Sequence, residues 1–307
     1  MKRFFISTIP FASTNQAPLD LLKKSNVSYE INSLGRKITE EELTNKIEDF
    51  DVLIAGTEPI TENVLDRAKK LKVISRVGVG IDNIDLDYAQ KKGIIVKISS
   101  HGPVNAVAEY TVGLILSMLR HIHLANHATK NKIWKKNIGK DLAGSTVGIL
   151  GAGNIGKRVI DLLQTFSPKK IIFYDPYVSE DIENAFKVPL EEIITTSDIL
   201  SLHLPLNSET QDLISINELN KMKKDSIIIN TSRGGIVNED DLYITLKKDL
   251  IAGAALDVFI KEPYTGKLTE LDNCLVSPHM APMTLKARES MEFDAITQAL
   301  DALGVEY

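Results

Sequence analysis

The chain has 307 residues, 43% hydrophobic and 25% charged, a composition that excludes disorder and collagen-like structure and leaves ample material for a core. At this length a single core tends to split, at roughly 150 residues per domain, so two domains with a cleft between them are expected. Lys and Arg number 36 against 41 Asp and Glu, a net charge of −5 with no long run of one sign; nucleic acid and anionic membrane are poor partners for such a balance. The single cysteine, Cys274, rules out an internal disulfide and fits a reducing compartment, so a cytoplasmic location is expected.

Short β-branched runs alternate with longer amphipathic segments along the whole chain, the pattern of parallel strands joined by helical crossovers and hence of an α/β fold. The first strand is read over Lys2–Ile6; Ser7, Thr8 and Pro10 then break the apolar run, which separates it from a secretory signal. Thr39 with Glu42 forms a capping box that announces a helix. Further strands are expected over Asp51–Ala55, Val73–Arg76 and Ile94–Lys97, with a helix ending at Gly93 before the last of them. A helical stretch begins near Val104 and runs past Arg120, too long for a simple connection, and is expected to bridge the domains. Its most apolar part, Val112–Leu119, contains Gly113 and Ser117 and is far short of the ~20 residues that span a bilayer.

A second series of six strands follows: Thr146–Leu150, Ile171–Tyr174, Ile199–Leu202, Ser226–Asn230, Ala252–Asp257 and Leu275–Ser277. With helices between them they make a doubly wound sheet. The last segment, Thr284–Leu303, reads as a helix capped by Thr284, expected to return to the first domain and make it discontinuous. No repeat of fixed period and no low-complexity tract interrupts this plan.

Gly151-Ala152-Gly153-Asn154-Ile155-Gly156 follows the strand Thr146–Leu150 directly and opens a helix read over Ile155–Phe166. The first glycine allows a tight turn, the second lets backbone approach a pyrophosphate, and the third permits close packing of helix on strand. The helix N-terminus then offers free N–H groups and partial positive charge to phosphates. The next strand ends at Asp175, close to the ~20-residue offset at which an acid accepts hydrogen bonds from the adenosine ribose. Pro176 and Tyr177, which follow it, could not pair with a 2′-phosphate, and the carboxylate would repel one, so NAD is favoured over NADP.

Three further groups stand at strand C-termini, the edge where doubly wound sheets bind ligands: Arg233 in Asn230-Thr231-Ser232-Arg233-Gly234-Gly235, Glu262 before Pro263, and His279 in Ser277-Pro278-His279. An arginine fork grips a carboxylate, a histidine exchanges a proton near neutral pH, and a carboxylate beside it orients the ring and stabilises imidazolium. An Arg beside two glycines is often only a surface loop residue, and a lone His after Pro often caps a turn; the three together, in this order, favour chemistry. His123 and His127 stand at i, i+4 without a third ligand, so no metal is expected.

With these residues in hand the chain resembles the D-isomer-specific 2-hydroxyacid dehydrogenase family, in its phosphoglycerate-dehydrogenase-like branch. The resemblance covers nearly the whole chain, through Val77-Gly78-Val79-Gly80-Ile81-Asp82-Asn83, Val107-Ala108-Glu109, Gly151–Gly156, Ser201-Leu202-His203-Leu204-Pro205, Thr231–Gly235, Ala254-Ala255-Leu256-Asp257-Val258-Phe259 and Ser277-Pro278-His279. It implies a Rossmann domain over 99–282 that binds NAD and a smaller flavodoxin-like substrate domain over 1–98 completed by 283–307. It also implies a catalytic trio: Arg233 holding the substrate carboxylate and polarising the carbonyl, His279 as acid and base, Glu262 orienting His279. Cofactor contacts are implied for Gly151, Gly153, Asn154, Ile155, Gly156, Asp175, His203, Pro205, Thr231, Ser232 and Asp257, the last near the nicotinamide amide. Substrate contacts are implied for Thr57, Val77, Gly78, Val79, Gly80 and Arg233, the Val77–Gly80 loop presenting backbone N–H groups to the carboxylate.

Departures from the family pattern bear on the substrate. Where relatives carry an Arg-Ser pair that grips phosphate, this chain has Ala55-Gly56-Thr57-Glu58, and Glu58 would repel phosphate if it faced the cleft. Ser99-Ser100-His101-Gly102-Pro103 lacks the usual asparagine, and Met280-Ala281-Pro282-Met283 replaces a Gly-rich turn; Arg76 and His101 are the nearby cations. A short D-2-hydroxy acid with an uncharged or hydroxylated tail is therefore expected. The sequence ends at Tyr307 without a C-terminal regulatory domain, so serine feedback is not expected. A homodimer is expected through about Val104 to Lys140, with Leu114, Ile115, Met118, Leu119 and Ile122 serving either a core or a partner. The competing reading is a non-enzymatic NAD(H) sensor of corepressor type on the same fold.

Overall fold

The computed structural model describes residues 1–99 and 102–307; His101 lies outside them. Two compact units emerge, Met1–Pro103 with Met283–Tyr307, and Val104–Pro282. Ser99 is held within the first unit, its Oγ reaching Arg76 O at 3.3 Å and Met291 O at 2.9 Å.

The first unit runs β1 (Arg3–Ile6), α1 (Ala17–Lys24), β2 (Ser28–Ile31), α2 (Glu40–Lys46), β3 (Val52–Ala55), α3 (Glu62–Arg67), β4 (Val73–Arg76), α4 (Leu86–Lys91) and β5 (Ile95–Ile98). Its strands form one parallel sheet in the order β2-β1-β3-β4-β5, the flavodoxin-like order, with the reversal between β1 and β3. β3 and β4 are wholly buried, as strands covered on both faces are. β2, absent from the sequence reading, is a half-exposed edge whose Ser28 and Glu30 hide it among polar residues. The Thr39–Glu42 capping box is present at α2.

The second unit runs α5 (Val104–Leu119), α6 (Ile122–Lys130), β6 (Thr146–Leu150), α7 (Asn154–Gln164), β7 (Lys170–Tyr174), β8 (Phe186–Lys187), α8 (Leu190–Thr196), β9 (Ile199–Leu202), α9 (Ile216–Leu219), β10 (Ile227–Asn230), α10 (Glu239–Lys247), β11 (Gly253–Leu256) and β12 (Cys274–Val276). α11 (Leu285–Leu303) then closes the first unit, with Thr284 capping Ala287 N and its length packed on β3, β4 and β5. The second sheet is parallel, ordered β12-β11-β10-β9-β6-β7-β8, one strand more than the sequence reading gave. The addition, β8, is a two-residue exposed edge. The helix expected to run past Arg120 breaks at His121, left-handed at φ 51°, and α5 lies against α7, β10 and β11 rather than acting as a connector. Leu114, Ile115, Met118 and Leu119 are buried in that unit's own core, while Ile122 is 53% exposed. Among the described residues, no helix is long and apolar enough to cross a membrane.

Candidate active site

In the parallel sheet of the second unit the order of strand addition reverses between β6 and β9, and the glycine loop follows β6. Gly151 has φ +91°, and a Cβ there would stand 2.4 Å from His203 O; a Cβ on Gly156 would stand 2.1 Å from Gly151 O. Both glycines are thus required by backbone packed against backbone. Gly153 differs, since a Cβ there would meet nothing within 4 Å, so its bareness leaves room for a ligand rather than for the fold. It caps α7, whose first intrahelical bond runs from Lys157 N to Gly153 O, and the preceding N–H groups of Asn154, Ile155 and Gly156 belong to the anion-attracting first turn. Asp175 directly follows β7, which ends at Tyr174. Its carboxylate accepts from Ala152 N and Tyr177 N, both at 2.9 Å, and so stands beside the glycine loop. His203, after β9, bonds Ser201 Oγ through Nε2 at 2.9 Å, and burial pushes its imidazole down to about 3, leaving it neutral at physiological pH. Pro205 follows in the same loop. A glycine cradle, an unspent helix terminus and an acid beside them suit a dinucleotide with free ribose hydroxyls.

Arg233, Glu262 and His279 stand on the loops after β10, β11 and β12, neighbours in that order in the sheet. The arginine loop is held from within: Asn230 Nδ2 donates to Arg233 O at 2.8 Å, and Ser232 N and Oγ donate to Asn230 Oδ1. Arg233 also donates to Ser232 O at 2.6 Å. Gly234 abuts the next loop so closely that a Cβ would stand 2.0 Å from the carbonyl carbon of Phe259. In that next loop Glu239 Oε1 accepts from Ile260 N at 2.8 Å, its carboxyl raised by burial, and Glu262 Oε1 accepts from Phe259 N at 3.2 Å.

His279 Nδ1 lies 3.1 and 3.0 Å from the two Glu262 carboxylate oxygens, which orients the ring and leaves Nε2 as the nitrogen away from the carboxylate, an arrangement able to exchange a proton there. Its backbone is left-handed at φ 51°, a conformation costly for a non-glycine residue. Asp257 maintains it: the main-chain oxygen accepts from His279 N at 2.8 Å, and the carboxylate from Met280 N at 2.9 Å, Ala281 N at 2.8 Å and Ser277 Oγ at 2.6 Å. Burial raises the Asp257 carboxyl, and these donors oppose the rise. Sequence reasoning missed Glu239, for which a helix-opening acid gives no distinctive signal.

In the first unit Thr57 and the Val77–Gly80 loop follow β3 and β4. Val77 N donates to Ala55 O at 2.9 Å and Gly78 N to Arg76 O at 3.0 Å, so carboxylate donors in this loop would come from Val79 and Gly80. A Cβ on Gly78, which has φ +134°, would collide with the Arg76 guanidinium, itself donating to Val77 O at 2.9 Å. Glu58 is only 1% exposed, accepting from Ser7 Oγ and, at 3.0 Å, from Gly56 N. Asn83 Nδ2 grips the same turn through Gly56 O at 3.2 Å and Glu58 O at 2.6 Å.

Residues 112–281 match the model of the D-isomer specific 2-hydroxyacid dehydrogenase, NAD binding domain. The chain is 40% identical over 262 residues to a D-3-phosphoglycerate dehydrogenase of Methanocaldococcus jannaschii, covering 82% of this chain and 50% of that one. A hydroxypyruvate reductase of Thermotoga maritima is 35% identical over 283 residues, covering 90% of this chain and 92% of the relative. Among solved structures, D-lactate dehydrogenase from Aquifex aeolicus complexed with NAD and lactic acid superposes with a TM-score of 0.86 at 26% identity, covering 99% of this chain and 95% of that one. The second unit is thus an NAD-binding doubly wound sheet. The chain belongs to the D-isomer specific 2-hydroxyacid dehydrogenase family. It spans about half the length of the phosphoglycerate dehydrogenase it matches.

Proposed function

We propose that the chain oxidises a D-2-hydroxy acid to the 2-oxo acid, reversibly, with NAD as partner. The observation that carries this reading is the His279–Glu262 pair on strand ends next to the arginine loop, in the sheet that bears the glycine cradle. Arg233 holds the substrate carboxylate through its fork and polarises the C2 oxygen. His279 Nε2 takes the hydroxyl proton on oxidation and returns it on reduction, while Glu262, fixed at 3.0 Å, stabilises the imidazolium formed. A bound nicotinamide supplies hydride exchange at C2. Thr231, Ser232 and Asp257 line the same strand ends and are assigned to the cofactor, with Gly151, Gly153, Asn154, Ile155, Gly156, Asp175, His203 and Pro205.

The substrate is assigned an uncharged or hydroxylated tail, as in glycerate with hydroxypyruvate, or glyoxylate. A phosphate stripped of water needs a cationic grip, and the turn after β3 offers a buried carboxylate instead. A Cβ on Gly56 would stand 2.8 Å from Thr8 Oγ1 and 3.0 Å from Glu58 Oε2, so a larger side chain there requires its neighbours to shift. The test is kcat/KM for 3-phosphoglycerate against glycerate under identical NAD and pH; a higher value for the phosphorylated acid refutes the assignment. A panel of D-2-hydroxy and 2-oxo acids followed by nicotinamide absorbance separates the enzyme from a sensor: silence throughout, with NADH bound, favours the sensor. A homodimer is proposed through the segment after α5, where Trp134 is 84% and Ile138 96% exposed. A monomer by light scattering at micromolar concentration would contradict it.

A further inference from the structure

The loop after β11 carries Glu262, yet the bond from Phe259 N to Glu262 Oε1 at 3.2 Å only closes that loop on itself. An anchor outside the loop comes one residue on, where Ile260 N donates to Glu239 Oε1 at 2.8 Å. Two consecutive amides thus go to two carboxylates, one within the loop and one beyond it. Glu239 is the first residue of α10, and α10 follows the connection that leaves β10 and carries Arg233. That connection is fixed independently: Asp212 N donates to Gly235 O at 2.7 Å, Ile214 N to Ile236 O at 3.1 Å and Asn238 N to Ile214 O at 2.9 Å. Glu239 therefore starts from a settled place. The two loops also abut at Gly234, but that contact limits approach, whereas the hydrogen bond resists separation. Asp240 and Glu262 set like charge near the half-buried Glu239 carboxylate, and the Tyr264 phenol stands close by. Capping of α10 does not account for an acid kept in such company, because Asn238 already supplies the cap by accepting from Asp241 N at 3.0 Å.

We infer that Glu239 is a positioning residue for the reaction proposed above, stapling the loop of Glu262 to the connection that carries Arg233 and so holding Glu262 in line with His279 Nδ1. The inference rests on that reaction, but the staple can be read without it. Variants separate the hydrogen bond from the charge: Glu239→Gln keeps an acceptor oxygen at the same reach, Glu239→Asp keeps the charge but withdraws it by one methylene, and Glu239→Ala removes both. Amide hydrogen exchange on the full chain, free of substrate, should quicken over residues 259–262 in Glu239→Ala and Glu239→Asp by roughly two- to tenfold, the range of one hydrogen bond, and stay at the wild-type rate in Glu239→Gln. In turnover the Ala and Asp variants should lose about tenfold in kcat while NADH affinity holds. Their pH limb set by His279 should move to lower pH, because a carboxylate out of line stabilises the imidazolium less. Glu239→Gln should keep the wild-type limb and a kcat within about twofold. Should Glu239→Ala fail to fold, Glu239→Asp against Glu239→Gln carries the test. Exchange unchanged in the Ala and Asp variants, exchange quickened throughout the second unit, or a Glu239→Gln variant as impaired as Glu239→Ala, which would assign the effect to charge, overturns the inference. Acid turnover with exchange and pH limb unaltered in every variant refutes the staple alone; local exchange changes in a chain that turns over no acid refute the reaction and leave the staple standing.

Discussion

Replacing Gly234 by Ala adds one methyl group at the point where the arginine loop meets the loop after β11. The new Cβ would stand 2.0 Å from the Phe259 carbonyl carbon, 2.3 Å from its oxygen and 2.4 Å from Ile260 N, all backbone atoms. Tolerable contact begins near 3.4 Å, so one of the two loops must retreat by about 1.4 Å. Neither can yield freely: Arg233 O is held by Asn230, and Ile260 N by Glu239. Overpacking of this kind costs ~1–3 kcal/mol of stability. The larger consequence is for rate, because displacing an aligning group by about 1 Å costs on the order of 10²-fold. Steady-state kinetics on the best acid of the panel should therefore show kcat/KM down roughly 100-fold. NADH affinity should fall far less, because the glycine loop follows β6, two strands away from β10 in the sheet. A Gly234→Ala enzyme with kcat/KM within about threefold of wild type would show that the Arg233 loop does not set the rate, and the assignment of Arg233 to the substrate would fail with it.

Gly153→Ala is the complementary case: with nothing within 4 Å of the added carbon, the melting temperature should hold while NADH affinity, followed by fluorescence titration, drops at least about tenfold; an unchanged affinity would remove the loop from the pyrophosphate site. Asp175→Ala should shrink the preference for NADH over NADPH, and a wild-type protein preferring NADPH would overturn the ribose assignment. His279→Gln should lose roughly 10²–10⁴-fold in kcat with NADH binding nearly unchanged, and near-normal turnover would exclude His279 as the acid–base group. The folded pKa of His203, about 3, lies below its ordinary 6.5, so the unfolded chain takes up the proton first, and stability is lost as pH falls below 6.5. By pH 5 the loss is about 2 kcal/mol. Urea unfolding at pH 7.5 and 5 should show that loss in wild type and not in His203→Asn, and equal losses in both would refute the coupling.

Elements with two buried faces were legible because β-branched and other apolar residues dominate them: Val73–Arg76, Thr146–Leu150 and Ile199–Leu202 were read to the residue, and the other buried strands to within a residue or so at each end. Edges were not: β2 and β8 present polar or exposed residues, and pairing with a single neighbour leaves little mark on sequence. The break at His121 was invisible for a different reason, since left-handed φ at a non-glycine residue is imposed by tertiary packing. At the site, the glycine loop, Asp175 and the Glu262–His279 neighbourhood could be read from spacing to strand ends. The burial of Glu58 could not, because its partners Ser7 and Gly56 come from two strand ends that are adjacent only in the folded sheet.

A ribosome delivers β1 to β5 first and α11 last. Until residues 285–303 have been made, the face of the first sheet that α11 covers lacks the apolar cover of Ala295, Ile296, Ala299 and Leu300. The second unit is continuous from Val104 to Pro282 and can complete itself earlier. Domains fold as units during synthesis, commonly from the N-terminus; here the order inverts, with the later-encoded sheet finished first. The early sheet, uncovered on that face, is then the surface most open to aggregation during synthesis.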